Sequence, residues 1–153
     1  MEDFIMKEME QRYPWARKDE EYKHFKSYIR LRWFKFPEVL QFYMNKKGMT
    51  SRELAKRCCI PVSLVARARK TEQKLPYTLP IVLGIGLEMS PNEIHFFLSA
   101  NSTRIPVDAV DDYDQALLYI IDMPYPKSVS ECDKMLSDAG LAKLTDFEIS
   151  VPE

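Results

Sequence analysis

Signals for the start of a helix recur at short intervals along this chain, and they limit its fold more than any other feature of the sequence. Thr50 is followed three residues later by Glu53, and the same spacing recurs from Ser90 to Glu93. In this capping-box spacing the two residues satisfy each other's backbone N–H groups at the start of a helix. Between such signals the apolar residues recur at helical spacings, and strand signals are scarce. The sequence therefore predicts an all-α fold built from short helices.

The predicted helices fall into three sections of the chain. Residues 1–35 are predicted to be a helical extension, whose longer helix carries an aromatic stripe with basic residues beside it. Residues 36–103 are predicted to be a compact helical domain. Residues 104–153 are predicted to be a second helical extension. Its last helix is expected to run from Ser130 to Leu144, with an interruption at Gly140.

The composition argues against several classes of protein. Only four glycines are present, and they are too scattered for a glycine-rich phosphate loop. The three cysteines are odd in number and two of them are adjacent, so a disulfide scaffold is not expected. No apolar segment approaches the roughly 20 residues needed to cross a bilayer, and the first residues lack the pattern of a signal peptide. We expect a cytoplasmic protein that makes no contact with a membrane.

Catalytic and metal-binding patterns are equally scarce. Neither His24 nor His95 has cysteine partners at the spacing of a zinc site, and neither belongs to a nucleophile pattern. The acidic run at Asp111, Asp112 and Asp114 is explained more simply as the start of a helix than as a cation site. We therefore expect no enzymatic activity, no bound metal and no cofactor.

The net charge of −1 conceals a strong division along the chain. Residues 1–74 contain 18 basic and 10 acidic residues, a net charge of +8, whereas residues 75–153 contain 4 and 13, a net charge of −9. The segment Met44–Lys74 concentrates the basic part, with nine basic residues against two acidic ones. Such a division indicates that one surface meets an anion while the rest is solvated.

The same basic segment carries the most informative motif. From Gly48 to Arg69 the apolar positions follow the pattern of two short helices that cross closely, with a small residue at the crossing and an apolar residue in the turn. The segment resembles the lambda-repressor-like, or Xre-type, helix-turn-helix family, and the resemblance extends from Phe36 to about Ala100. The positions that carry it are Leu54, Ala55 and Cys58 in the first helix, Ile60 in the turn, and Val65 and Ala68 in the second helix.

Two residues depart from the pattern of that family. Cys59 stands where the turn commonly has glycine in a left-handed conformation, which costs a non-glycine residue roughly 1 kcal/mol. Pro61 stands where a capping serine or threonine is usual, although proline also fits the start of a helix.

The resemblance implies that the second helix of the motif lies in the major groove of double-stranded DNA. Arg67 would then pair with guanine, Ser63 would contact a base or a phosphate, and Val62 would touch a thymine methyl group. Ser51 and Arg52 would hold phosphates, and so would Lys70 and Lys74 beyond the second helix. The implied DNA-binding residues are Ser51, Arg52, Val62, Ser63, Ala66, Arg67, Lys70 and Lys74.

The sequence thus predicts a sequence-specific DNA-binding transcriptional regulator. We expect a homodimer, because one recognition helix buries too little surface for tight specific binding. The alternative is a helix-turn-helix domain that has lost its DNA contacts and serves as a protein-interaction or sensing module. In that case the acidic C-terminal half would be the surface that meets a protein partner.

Overall fold

The computed structural model describes residues 35–71, 73–103, 105 and 110–147. Within these ranges all regular secondary structure is helical, which confirms the all-α prediction for this part of the chain. The predicted N-terminal helices lie outside the described residues. The helices are α1 Phe36–Lys47, α2 Ser51–Cys58, α3 Val62–Ala68, α4 Leu79–Gly86, α5 Pro91–Ala100, α6 Asp112–Asp122 and α7 Val129–Asp138.

The predicted Thr50 and Ser90 caps form at the start of α2 and α5, and at α5 the reciprocal capping box is complete. Thr50 Oγ1 accepts a hydrogen bond from the backbone N–H of Glu53 at 3.2 Å, and its hydroxyl donates to Glu53 Oε1 at 3.0 Å. At α5, Ser90 Oγ accepts from the N–H of Glu93 at 3.3 Å, and Glu93 Oε1 accepts from the N–H of Ser90 at 3.0 Å. Each helix therefore begins where the local sequence satisfies the first free N–H groups of its backbone.

The last predicted helix is shorter than its apolar pattern suggests. Helix α7 begins at Val129, after a Ser128 cap, and ends at Asp138, so the predicted continuation to Leu144 is wrong. Gly140 adopts a φ of 74°, and the N–H of Leu141 returns to the carbonyl of Leu136 at 2.8 Å. This left-handed glycine closes the helix instead of interrupting it.

One hydrophobic core runs through all seven helices. Its buried residues extend from Phe36, which stacks on Phe97 with ring centroids 4.3 Å apart, to Leu144 near the end of the described chain. Helix α4 is buried along its whole length and contacts α2, α5 and α7. The C-terminal helices α6 and α7 therefore share the core of the preceding helices.

Two glycines in α4 allow the helices around it to approach closely. A Cβ atom at Gly86 would lie 3.0 Å from Leu54 Cδ1 and closer still to Cys58 Sγ. A Cβ atom at Gly84 would lie 2.9 Å from Ile94 Cγ1. Both distances are shorter than normal van der Waals contact, so α2 and α5 reach their positions because these residues have no side chain.

The connection between α6 and α7 is held by polar contacts to the core helices. The hydroxyl of Tyr125 donates to the carbonyl of Met89 at 2.9 Å. The ammonium of Lys127 donates to three carbonyls at the end of α6, and the Lys127 residue is only 7% exposed. Such an ammonium satisfies the last carbonyls of the helix and lies at the negative end of its dipole.

Candidate nucleic-acid interface

Helices α2 and α3 are joined by a turn of three residues, Cys59 to Pro61. Cys59 has φ 57° and ψ 40°, the left-handed conformation that its position predicts. The N–H of Ile60 donates to the carbonyl of Ala55 at 3.1 Å, which closes the end of α2. Pro61 directly precedes the first residue of α3, and its φ of −64° is the value that the proline ring fixes. This value is compatible with the start of a helix. The turn is therefore compact, and its backbone hydrogen bonds are made locally.

The apolar positions of the two helices face the core as predicted. Leu54, Ala55 and Cys58 of α2 are buried, and so are Val65 and Ala68 of α3. Burial raises the pKa of the Cys58 thiol to about 12, and this thiol donates to the carbonyl of Val82 at 3.3 Å. Cys58 is thus a neutral thiol packed as a small apolar side chain, which agrees with the expectation from the sequence.

The opposite face of α3 is open to solvent. Ser63 and Arg67 are exposed, Ala66 between them is half-buried, and Val62 is 45% exposed. These positions share one face because they recur at the helical spacings of three and four residues. The face is small, since α3 has only seven residues, and it presents an arginine, a hydroxyl and an apolar side chain together.

Other basic side chains of α2 and of the segment after α3 are also exposed. Arg52 is exposed near the start of α2, Lys70 is exposed in the turn that follows α3, and Lys74 is exposed in the next loop. Neither these three side chains nor Arg67 makes an ion pair in the part of the chain that the structure describes. Their charges are therefore not neutralised locally, and they produce a positive potential to which an anion is attracted.

Arg57, by contrast, points toward an acidic residue. Its Nη1 atom lies 4.0 Å from Glu88 Oε1, beyond the end of α4. Both side chains are more than half exposed, so the contact is a surface ion pair of small energy. Arg57 therefore contributes charge to α2 without belonging to the exposed face of α3.

Sequence reasoning did not identify the side chain that connects the three helices of this site. The guanidinium of Arg69 donates from Nη1 to Ser51 Oγ at 2.8 Å, and from Nε and Nη2 to Gln41 Oε1 at 3.1 and 2.5 Å. Gln41 in turn donates from Nε2 to Asn45 Oδ1 at 2.8 Å. We call these four residues the Arg69 network. The basic character of Arg69 was visible in the sequence, but no local pattern pairs it with residues 28 and 18 positions away.

The network also changes the description of Ser51. This residue was expected to hold a phosphate, and it is half-buried at the first position of α2, with its hydroxyl oxygen accepting from Arg69. A serine hydroxyl has one donor hydrogen and two lone pairs, so it retains hydrogen-bonding capacity beside this contact.

The loop after α3 is held by a buried amide. Asn101 Oδ1 accepts from the N–H of Leu75 at 2.8 Å, and Asn101 Nδ2 donates to the carbonyl of Leu75 at 3.2 Å. Asn101 is 4% exposed and lies at the end of α5. Because both backbone groups of Leu75 are bound, the backbone next to Lys74 has a defined position at the edge of the basic surface.

Comparison of the chain with protein-family models, with curated proteins and with solved structures finds no match. Among the helices of the described ranges, none combines the length and the apolar character needed to cross a bilayer. Over the same ranges, His, Cys, Asp and Glu side chains do not gather in groups of three that could hold a metal ion.

Proposed function

We propose that this chain is a sequence-specific DNA-binding transcriptional regulator of the helix-turn-helix type. The single observation that carries the proposal is the exposed face of α3, where Ser63 and Arg67 are exposed, Arg67 has no ion pair among the described residues, and the other face of the helix is buried. A helix that enters the major groove needs this combination, because one face must be fixed to the domain while the other reads base edges.

The geometry of α2, the turn and α3 supports a helix-turn-helix of the lambda-repressor-like kind. Two short helices are joined by a tight turn with a left-handed residue at Cys59, and α1 packs on α3 while α4 packs on α2. The residue at the predicted crossing, Ala55, is buried and small. These features match what such a motif requires for physical reasons, and the proposed fold name rests on them together with the resemblance of the sequence.

Each residue of the exposed surface has a proposed role in binding. Arg67 pairs with guanine through its two parallel N–H groups, since it is the arginine on the exposed face of α3. Ser63 contacts a base or phosphate, and Val62 meets a thymine methyl group. Lys70 and Lys74 hold the phosphate backbone on the side beyond α3. Ser51, Arg52 and Ala66 complete the proposed DNA-binding set.

We further propose that the chain binds as a homodimer and is not an enzyme. A helix of seven residues presents too few base contacts for tight specific binding, and two copies on paired half-sites double them. The acidic helices α6 and α7 pack on the side of α2, α4 and α5, where their charge does not cover Arg67 or Lys70.

Selection of duplexes by the purified chain at two salt concentrations tests the proposal. We expect enrichment of a defined sequence and affinity that falls steeply as salt rises, because lysines and arginines displace counterions from phosphates. Arg67→Ala should relax the preference at one base position and cost about 1–3 kcal/mol of binding. Arg57→Ala is the matched control, since it removes an equal charge outside the exposed face of α3.

Two results would contradict the proposal. An unchanged sequence preference in Arg67→Ala would reject the base-reading role of that residue. Failure of the wild-type chain to bind any duplex even at low salt would reject DNA binding as a whole. The latter result would favour the alternative proposal, a helix-turn-helix domain that acts as a protein-interaction or sensing module through its acidic C-terminal half.

A further inference from the structure

We propose that Arg69 is a positioning residue, which fixes the orientation of α3 against α1 and α2 and does not itself contact nucleic acid. This inference rests on the proposed function, because it concerns how the exposed face of α3 is held for base reading. Arg69 and the neighbouring Lys70 are both basic and exposed, but the inference gives them different roles. Lys70 contacts a phosphate, whereas Arg69 contacts only other residues of the chain.

The first argument is the connectivity of the Arg69 side chain. Arg69 directly follows α3, and its N–H donates to the carbonyl of Val65 at 3.0 Å, so its backbone belongs to the last turn of that helix. Its guanidinium reaches Gln41 in α1 and Ser51 at the first position of α2. One side chain therefore joins three helices, and its contacts lie at the exposed edge of the site.

The second argument is that the geometry uses the planar fork of arginine. Two N–H groups, on Nε and Nη2, converge on the single oxygen of Gln41, while Nη1 points to Ser51. Gln41 is itself oriented by its contact with Asn45. An ammonium lacks the planar arrangement of donors that bonds Gln41 on one edge and Ser51 on another, so the contact depends on the shape of the side chain more than on its charge.

The third argument is that α3 needs such a support. Its fully buried side chains are Val65 and Ala68, both small, and Leu64 packs against the core only partly buried. So small an apolar face resists rotation about the helix axis only weakly, because packing energy scales with the area buried. A rotation of α3 would move Arg67 relative to a base edge, and binding sites lose function when their groups are misplaced by about 1 Å.

Phosphate binding by Arg69 is the competing explanation, and salt dependence separates the two. A residue that neutralises a phosphate reduces the salt slope of binding by about one when it is removed, and it weakens binding to all sequences alike. A positioning residue leaves the slope unchanged and reduces the preference for the selected duplex over an unrelated one.

The test uses three variants of the full chain. Arg69→Met removes the donors and the charge, and Gln41→Met removes the acceptor while the charge of Arg69 remains. Lys70→Met is the matched control for loss of one exposed charge. The affinities for the selected duplex and for a shuffled duplex are measured from 50 to 200 mM salt. Hydrogen exchange at the amide of Thr71, which donates to the carbonyl of Arg67 at 2.9 Å, reports the end of α3 without DNA.

We expect Arg69→Met and Gln41→Met each to lower the ratio of the affinity for the selected duplex to that for the shuffled duplex by about tenfold, because one base contact provides about that much discrimination. The salt slope should be unchanged in both variants. We expect the Thr71 amide to exchange faster in both variants. Lys70→Met should weaken binding to both duplexes equally, reduce the slope by about one and leave the exchange rate unchanged.

Several outcomes overturn the inference and leave the proposed function intact. A Gln41→Met variant that binds and exchanges like the wild type would overturn it, even if Arg69→Met did not fold. A loss of slope by about one in Arg69→Met would do the same, since it identifies a phosphate contact. If the wild-type chain binds neither duplex, the proposed function fails first and this inference fails with it.

Discussion

Replacement of Lys127 by methionine tests how the C-terminal helices are held on the domain. The ammonium of Lys127 donates to the carbonyls of Ile120 at 2.8 Å, Ile121 at 3.0 Å and Met123 at 2.8 Å. Methionine has a similar length and keeps the apolar contacts of the side chain, but it donates no hydrogen bond. The substitution therefore isolates the polar contribution of this helix cap.

The size of the effect follows from the carbonyls left without a donor. Ile120 retains a contact from the N–H of Met123 at 3.3 Å, so the carbonyls of Ile121 and Met123 are the two that lose their partner. Each unpaired buried carbonyl costs about 1–3 kcal/mol. Burial lowers the pKa of Lys127, which shows that desolvation of the ammonium offsets part of the gain. We expect a net loss of about 2–3 kcal/mol in the free energy of unfolding.

Urea denaturation at neutral pH measures this loss, with Lys134→Met as the control. Lys134 is exposed and lies 3.5 Å from Asp138 in an i,i+4 surface pair, so its removal should cost less than about 0.5 kcal/mol. The Lys127 variant should also melt roughly 5–10 °C lower than the wild type. If the two variants lose equally little stability, the reasoning from the buried carbonyls is wrong.

Two further substitutions and one pH dependence follow from the structure. Cys59→Gly should raise the free energy of unfolding by about 0.5–1 kcal/mol, since φ 57° strains a residue with a Cβ atom; a lower urea midpoint would contradict this. Tyr113→Phe should stabilise by about 1 kcal/mol, because the buried Tyr113 hydroxyl has no hydrogen-bond partner; a loss of stability would refute it. Burial raises the folded-state pKa of several thiols and phenols above the unfolded values. Their stabilising contribution is complete below about pH 9 and is lost as pH rises toward 12. The urea midpoint of unfolding should therefore decrease as the pH is raised from about 8.5 to about 11, and a midpoint that stays constant would contradict this. These groups include Cys58 and Tyr113, whose pKa values are raised to about 12, and Cys132, whose pKa is raised to about 11.

The parts of the fold that sequence predicts are those determined within one turn of helix. The Thr50 and Ser90 caps accept from an N–H only three residues ahead, so the short sequence pattern itself predicts them. The left-handed Cys59 was predicted from its position in a family pattern, because the closing of a helix at a tight turn requires that backbone conformation. The end of α7 was missed, although its cause, Gly140, is also local.

The polar contacts between distant segments were not predictable in the same way. Arg69 meets Gln41 across 28 positions, and Asn101 meets Leu75 across 26. Arginine, glutamine and asparagine occur mostly on solvated surfaces, so their periodicity does not distinguish a structural contact from an exposed side chain. The exposure of Arg67 and Ser63 was predictable from helical spacing, whereas the Arg69 network, which joins α3 to α1 and α2, was visible only in the structure.

The paired contacts of Asn101 with Leu75 determine which changes the loop between α3 and α4 can accept. A single amide on α5 fixes both the N–H and the carbonyl of the residue where the loop rejoins the core. The conformation of the loop end is therefore specified outside the loop. An extra residue inserted between Gln73 and Lys74 should leave the helices on both sides in register, so this segment can change in length as long as Asn101 is kept and position 75 is not proline.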